Sequence, residues 1–294
     1  MNKRWLKLLR AGLFAALAAA FAGLPAAAQA PAPAPAFNIA TYNLRLNLAR
    51  DGANAWPHRK EAVKALIRYH EFDIVGTQEG LPEQIDDLAA MAGFAHVGVG
   101  RDDGLRGGEH AAIFFRVARF KLEDHGDFWL SQTPERPSMG WDARCCKRIA
   151  TWARLLDRPS GQRFLVFNAH FDHEGLVARR ESAHLMLRKI AEIAGDLQVL
   201  FIGDLNSTPE TPQVIALQAV MRDAYLVTIT PPYGPVGTFN DFKLDAAMTD
   251  RIDYIFVGPR VQVLKYAVLS DSFGGRYPSD HHPVVARVQL EGSP

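Results

Sequence analysis

Apolar positions along residues 37–290 repeat sometimes every second residue and sometimes every three to four, and the switches mark out alternating strands and helices. Residues 37–42 read as a first strand with Asn43 at its end. Residues 58–69 put Ala62, Val63, Leu66 and Ile67 on one helical face. The short apolar run 72–76 is a strand that delivers Gln78 and Glu79, and 82–91 is a helix with Ile85, Leu88 and Ala89 as its stripe. After a loop rich in glycine and charge (101–109), residues 111–117 form another strand. Two neighbouring strands, 149–156 and 163–168, flank a Pro159-Ser160-Gly161 turn, and the second leads to His170. Residues 174–194 carry Ala183, Met186, Leu187, Ile190, Ile193 and Ala194 at helical spacing, with Gly195 placed to stop the helix. Residues 198–202 are a buried strand ending at Gly203-Asp204. In the strand 251–257, Ile252, Tyr254 and Phe256 share a face, so Asp253 points to the other. Residues 284–290 close the pattern, which is that of an α/β layered domain whose strand order the pattern leaves open.

Composition changes the picture at the N-terminus. Lys3, Arg4, Lys7 and Arg10 precede an Ala/Leu/Phe run from Ala11 to about Leu24, and Ala28-Gln29-Ala30 offers the small residues that a signal peptidase reads. An uncleaved anchor is the alternative, but the run is alanine-rich and interrupted by Pro25. The expected organisation is a signal peptide over 1–30, a Pro/Ala spacer over 31–36 and one domain over 37–294, exported to the periplasm or beyond. Net charge is +1, and four basic residues with no acidic one lie in the leader, so the rest is mildly acidic. That balance disfavours a nonspecific duplex-DNA binder, which needs a basic face to displace counterions. The two cysteines are neighbours, Cys145 and Cys146. A bridge between adjacent residues fits poorly with ordinary disulfide geometry, so they read either as reduced or buried thiols or as a redox-labile or intermolecular pair.

The candidate chemistry sits where apolar strands end. Glu79 alone reads as a helix-entry carboxylate, Asp204 and Asn206 in Gly203-Asp204-Leu205-Asn206 as turn residues, His170 as a core histidine, and Asp280-His281 as a loop pair. Asp253 inside an apolar strand resists such a reading, because a buried carboxylate needs a partner and a histidine supplies one. Strand ends brought side by side would gather Asn43, Glu79, His170, Asp204 and His281 in one cleft. Five carboxylates and two histidines retained together speak against a non-catalytic binding module.

Thr41-Tyr42-Asn43, Gln78-Glu79, Asn168-Ala169-His170, Gly203-Asp204-Leu205-Asn206, Arg251-Ile252-Asp253-Tyr254 and Ser279-Asp280-His281-His282-Pro283 occur in that order. As a set they resemble the endonuclease/exonuclease/phosphatase superfamily, with its deoxyribonuclease I-like fold, over roughly residues 37–288. The surrounding pattern, including Trp56-Pro57-His58-Arg59, resembles an exported bacterial branch related to the deadenylase/nocturnin group. The resemblance implies a four-layer α/β sandwich with two facing mixed β-sheets flanked by helices. It implies a phosphoester hydrolase in which Glu79, Asp280 and Asn43 hold Mg²⁺ or Mn²⁺. Asp204 would orient or deprotonate the attacking water, Asn206 and His170 would hold the phosphate, and Asp253 would fix the tautomer of His281, which would stabilise or protonate the phosphate. Arg45, Asp172, His173, Trp141, Arg148, Tyr233 and Phe239 are the candidate substrate rim. The expected partner is a phosphoester substrate (nucleic acid, nucleotide, phospholipid head group or sugar phosphate), with the chain a monomer and no obligate protein partner. Two rival metallohydrolase readings fit less well. The run His170-Phe171-Asp172-His173 partly matches a metallo-β-lactamase ligand run, and Gly203-Asp204 a calcineurin-like one, but each lacks further histidines that those sites require.

Overall fold

Alternation in the first strand, β1 (Phe37–Asn43), sends Phe37 and Ile39 into one buried cluster and Ala40 and Tyr42 into another. That division organises the whole computed structural model, which describes residues 35–291. The expected signal peptide and most of the spacer lie outside those residues. In chain order the elements are β1, α1 (Trp56–Tyr69), β2 (Ile74–Gln78), α2 (Pro82–Ala89), β3 (Phe94–Val97), β4 (Ile113–Arg116), β5 (Phe120–Trp129), β6 (Ile149–Asp157), β7 (Arg163–His170), α3 (Leu176–Ala194), β8 (Gln198–Asp204), α4 (Pro212–Gln218), β9 (Arg222–Asp223), α5 (Ala224–Val227), β10 (Asp253–Val257), β11 (Val261–Val268) and β12 (Val284–Leu290).

The strands form two six-stranded mixed sheets, ordered β11-β12-β1-β2-β4-β3 and β5-β6-β7-β8-β10-β9. β1 runs parallel to β2 and β7 parallel to β8, and every other named pairing is antiparallel. One core lies between the sheets and joins Ile39, Ile74 and Ile113 of the first to Val166, Leu200 and Ile255 of the second. On the outer face of the first sheet, Tyr42, Val75 and Phe114 pack on α1 and α2 through Val63, Leu66 and Leu88. On the outer face of the second, Phe167, Phe201 and Phe256 pack on α3 and α4 through Met186 and Leu217. Four layers result, the fold class that the motif set implies. Proline stands in the first turn of α1, α2 and α4, where its missing N–H costs nothing. Gly195 ends α3 at φ 52°, as its position in the sequence suggests. Among the described residues, no helix is long and apolar enough to cross a membrane.

Several elements escape the periodicity reading: β3, β5, β9, β11, α4 and α5. The cysteines also depart from expectation. Cys145 and Cys146 are bonded to each other, in a loop where Cys145 is exposed, so they are neither free nor an intermolecular pair.

Candidate active site

The inward-facing rows of four strands change from apolar to polar at the same end of the molecule. Along β1 the row runs Phe37, Ile39, Thr41, Asn43; along β7 it runs Phe164, Val166, Asn168, His170; along β8, Leu200, Ile202, Asp204. β10 is antiparallel and reads in reverse, so Asp253 pairs with Asp204 in register, and Asp204 pairs with His170 on its other side. The sheets are tied together just beneath this end. Gln78 Nε2 donates to Thr41 Oγ1 (3.0 Å) and to Asn168 Oδ1 (2.7 Å), while Asn168 Nδ2 donates to Thr77 O and Ala112 O across the gap (2.9 Å each). Gly203 is required where β8 passes β7, because a Cβ there would stand 2.1 Å from Ala169 O.

Asp204 is the centre of the cleft. Its Oδ1 accepts from Asn206 N (2.9 Å) and its Oδ2 from Asn43 Nδ2 (2.9 Å). The same Oδ2 lies 3.5 Å from His170 Nε2 and 3.8 Å from His281 Nε2. Burial, and then the nearby Asp253 carboxylate, push the Asp204 carboxyl up to about 7. His281 Nδ1 contacts Asp253 Oδ2 at 2.9 Å. Burial alone would depress His281, but the Asp253, Asp204 and Asp280 carboxylates together hold it well above the ordinary imidazole value. His170 goes the other way: burial and the Arg148 guanidinium keep it well below that value, hence neutral. Arg148 Nη1 is nearly equidistant from both His170 ring nitrogens, at 3.1 and 3.0 Å, an approach over the ring rather than along a lone pair. Asn206 Nδ2 reaches His170 Nε2 (3.1 Å) and Phe171 O (3.1 Å).

Glu79 and Asp280 lie on the opposite wall. Glu79 Oε2 accepts from Leu46 N (3.0 Å) and Oε1 from Asn43 Nδ2 (3.1 Å). Asp280 is raised by burial and by Glu79, and the guanidinium of Arg45 stands 3.6 Å away, itself paired with Asp51 at 3.0 Å. Each carboxylate oxygen of this oxygen-only pair carries one neighbour, so the donor set suits a hard divalent cation. Asn43 is oriented differently from a ligand. Its amide nitrogen faces Glu79 and Asp204, and its Oδ1 accepts from Arg45 N (2.9 Å), so it bridges carboxylates instead of offering oxygen. Among the described residues, the tight acid–histidine triples are Asp204–Asp253–His281 and Cys145–Asp172–His173. Arg45, Glu79 and Asn206 all adopt positive φ (54°, 62° and 46°), a conformation that costs energy for residues with a side chain and gathers here at the cleft.

The candidate rim divides. Phe239 sits edge-on to His281 with ring centres 5.1 Å apart. Arg148 spans His170 and His173, with Nη2 2.6 Å from His173 Nδ1 and Nε 3.5 Å from Asp172 Oδ2. A guanidinium between the two histidines leaves no common point for a zinc ion, which removes the geometry that a metallo-β-lactamase site needs. Asp172 Oδ1 braces the entry to α3 by accepting from Glu174 N (2.9 Å) and Gly175 N (2.6 Å). Trp141 packs against the α3 side of the core. Tyr233 is bridged to β11 at Ala267 and is exposed there, so it does not cover the cleft.

Two cleft residues are absent from the sequence reading. Glu109 accepts from Arg101 Nη2 (2.6 Å) and stands 3.9 Å from His170 Nδ1. Burial, opposed by Arg101, pushes its carboxyl up to about 7. With Glu79, His110, Arg148 and His170 they line a small cavity of about 10 Å³, close to what a single water needs. Both come from the glycine-rich loop, which has no periodicity to expose them; the pair of opposite charges at its two ends is the only signal.

Residues 40–281 match the Endonuclease/Exonuclease/phosphatase family. An endonuclease/exonuclease/phosphatase from Bacteroides vulgatus is 40% identical, covers 87% of this chain and 100% of its own, and superposes with a TM-score of 0.84. A mannosyl-6-phosphatase from Bacteroides thetaiotaomicron is 39% identical over 86% of this chain and 99% of its own, with a TM-score of 0.82. The human nocturnin catalytic domain shares the fold at 20% identity and a TM-score of 0.69, covering 87% of this chain and 94% of its own. Drosophila melanogaster nocturnin is 24% identical over 81% of this chain, and the chain spans less than half the length of the curated relatives it matches.

Proposed function

The chain belongs to the endonuclease/exonuclease/phosphatase family, and from that premise we propose that it is an exported, divalent-metal-dependent phosphomonoesterase acting on sugar phosphates. The observation that carries the hydrolase reading is the setting of Asp204, a buried carboxylate held by two donors and faced by two histidines of opposite protonation preference. A base whose carboxyl is pushed up to about 7 is matched to taking a proton from water near neutral pH. Protonated His281, oriented by Asp253, donates to a phosphoryl oxygen and offsets its charge. Neutral His170 and the Asn206 amide hold a second oxygen, and Arg148 and Arg101 supply positive charge behind them. Glu79 and Asp280 would hold Mg²⁺ or Mn²⁺, which when bound polarises the phosphoryl group and neutralises developing charge. Asn43 keeps Asp204 and Glu79 in place through one amide.

The sugar-phosphate substrate rests on the 39% identity, nearly end to end, with a protein described as a mannosyl-6-phosphatase. The test is phosphate release by residues 37–294 from hexose 6-phosphates, a generic phosphodiester, RNA, single-stranded DNA and sphingomyelin, with Mg²⁺, Mn²⁺, Zn²⁺ or chelator. Metal-dependent release from the sugar phosphate, lost in Asp204→Asn, is expected. Cleavage of diesters alone would replace the monoesterase reading. For export, the full chain expressed with its leader should appear outside the cytoplasm, cut after Ala30; an intact chain retained in the cytoplasm would refute it.

A further inference from the structure

On the rim beside the cleft, the exposed Cys145 Sγ, a carboxylate oxygen of Asp172 and a ring nitrogen of His173 lie within 4.8 Å of one another. The proton transfers and phosphate contacts proposed above use none of the three. We propose that reduction of the Cys145–Cys146 bond converts this cluster into a binding site for a thiophilic divalent cation such as Zn²⁺ or Cd²⁺, and that filling it withdraws Arg148 from His170.

The ligand set is right for such an ion. A thiolate, an imidazole and a carboxylate are the three ligand types zinc takes, and three protein ligands leave the fourth position to water. Asp172 is oriented in advance, because the backbone amides of Glu174 and Gly175 hold Oδ1 while Oδ2 keeps only a long 3.5 Å contact to Arg148 Nε. Bringing ligand atoms from 4.8 Å onto an ion needs a small contraction, and both Cys145 and His173 are exposed side chains, the first released by reduction and the second by loss of its Arg148 contact. In the oxidised protein Cys145 has no thiolate to give, since its sulfur is bonded to Cys146. A phosphine reductant opens that bond by taking an oxygen from one water to become the phosphine oxide, and the water's two hydrogens go to the two sulfurs. A thiol donor does the same by exchange through its own disulfide. Cation binding then releases the proton of Cys145.

The coupling to the cleft runs through one side chain. Arg148 Nη2 contacts His173 Nδ1 at 2.6 Å while its Nη1 lies over His170. A divalent ion on Asp172 and His173 competes for both of its rim partners and repels its charge.

The thiolate-to-cadmium charge-transfer band in the ultraviolet reports this site apart from any oxygen-ligated cation in the cleft. Titration with Cd²⁺ is expected to give no band in the oxidised protein and one ion per chain after treatment with a phosphine. Cys146→Ser, which frees Cys145 without reductant, should bind in both states, and Cys145→Ser in neither. His173→Ala and Asp172→Ala should each weaken binding by tenfold or more, with circular dichroism confirming that each variant is folded. Absence of the band in folded Cys146→Ser, with its thiol shown free by titration, would overturn the site. So would an affinity unchanged by the His173 and Asp172 substitutions. Bound Cd²⁺ should also lower turnover of reduced protein but leave oxidised protein unaffected; equal inhibition of both would sever the link to Arg148.

Discussion

The space between the two sheets has two ends, and β1 and β7 run through both. At one end Phe37, Phe120 and Phe164 meet ring to ring, with centres 5.3–5.7 Å apart, and Arg119 lies over Phe37. At the other, the rows of β1 and β7 that begin at Phe37 and Phe164 finish in Asn43 and His170, beside Asp204 of β8 and Asp253 of β10. Backbone pairing is continuous through both, so the difference is one of residue type at positions that alternation already directs inward. The aromatic end is stabilised by burial, of the order of 1.5–3 kcal/mol for each large side chain. The polar end holds charge away from water, which is expensive unless partnered, and Asp253 Oδ1 lacks any partner among the described residues. One end holds the sheets together so that the other can be kept in a costly arrangement.

The two ends differ most at Asp204. Asp204→Asn is expected to lower kcat by about 10³-fold or more, the scale of a lost general base together with lost positioning. The same variant should be more stable, not less. The Asp204 carboxyl is raised in the fold to about 7 against an ordinary value near 3.9 in the unfolded chain. Its ionised form therefore costs stability fully above about pH 7 and not at all below about pH 4. Thermal melts with chelator present should show the Asn variant gaining on the wild type between those limits; a loss of stability at pH 8 would contradict the account. At the aromatic end, Phe164→Ala should cost about 3–5 kcal/mol in denaturant titrations while the folded fraction keeps its kcat. A large drop in kcat per folded molecule would show that the two ends are not separable.

A smaller effect is expected at Asp253. Asp253→Asn removes the carboxylate that helps hold His281 protonated, and about 10²-fold in kcat is expected. It also removes a cause of the raised Asp204 carboxyl. In the wild type the acid limb of kcat/KM should rise through about pH 7 as Asp204 ionises, and in the variant that limb should move to lower pH. A limb that stays put assigns it to another group.

How much of this is legible before folding follows from the same alternation. β1, β7, β8 and β10 are central strands buried on both faces, so their long apolar runs and polar ends stand out, and Asp253 can be assigned its face. β5 and β11 are edge strands, half-exposed and each interrupted by a register shift, at Leu122/Asp124 and at Val263/Lys265, so neither keeps a clean period. β3 is likewise an edge strand, of four residues. The motif residues could be named because they sit at strand ends. Glu109 and Arg101 could not, because their place beside His170 depends on a loop folded on itself, with Arg101 N bonded to Glu109 O at 3.0 Å and His110 bridged to Gly80. The orientation of Asn43 was hidden for a different reason: which end of an amide faces a carboxylate is decided by all its neighbours together.

The boundary between the two ends passes through Gly76, and a single methyl group placed there tests how independent they are. A Cβ on Gly76 would stand 2.6 Å from Ile202 Cδ1, which belongs to the apolar core, and 2.7 Å from Asn168 Cγ, which ties the sheets beneath the site. Gly76→Ala should therefore cost about 1–3 kcal/mol by overpacking. Ile202→Val removes the Cδ1 carbon and with it the apolar half of the clash, but leaves Asn168 in place. If the sheets part as a rigid unit, the double variant Gly76→Ala/Ile202→Val recovers stability, and kcat remains depressed because Asn168 and Gln78 still shift under Asn43 and His170. Recovery of kcat along with stability would mean that the polar layer yields on its own. The register of the site would then be set by its hydrogen bonds and not by the aromatic end.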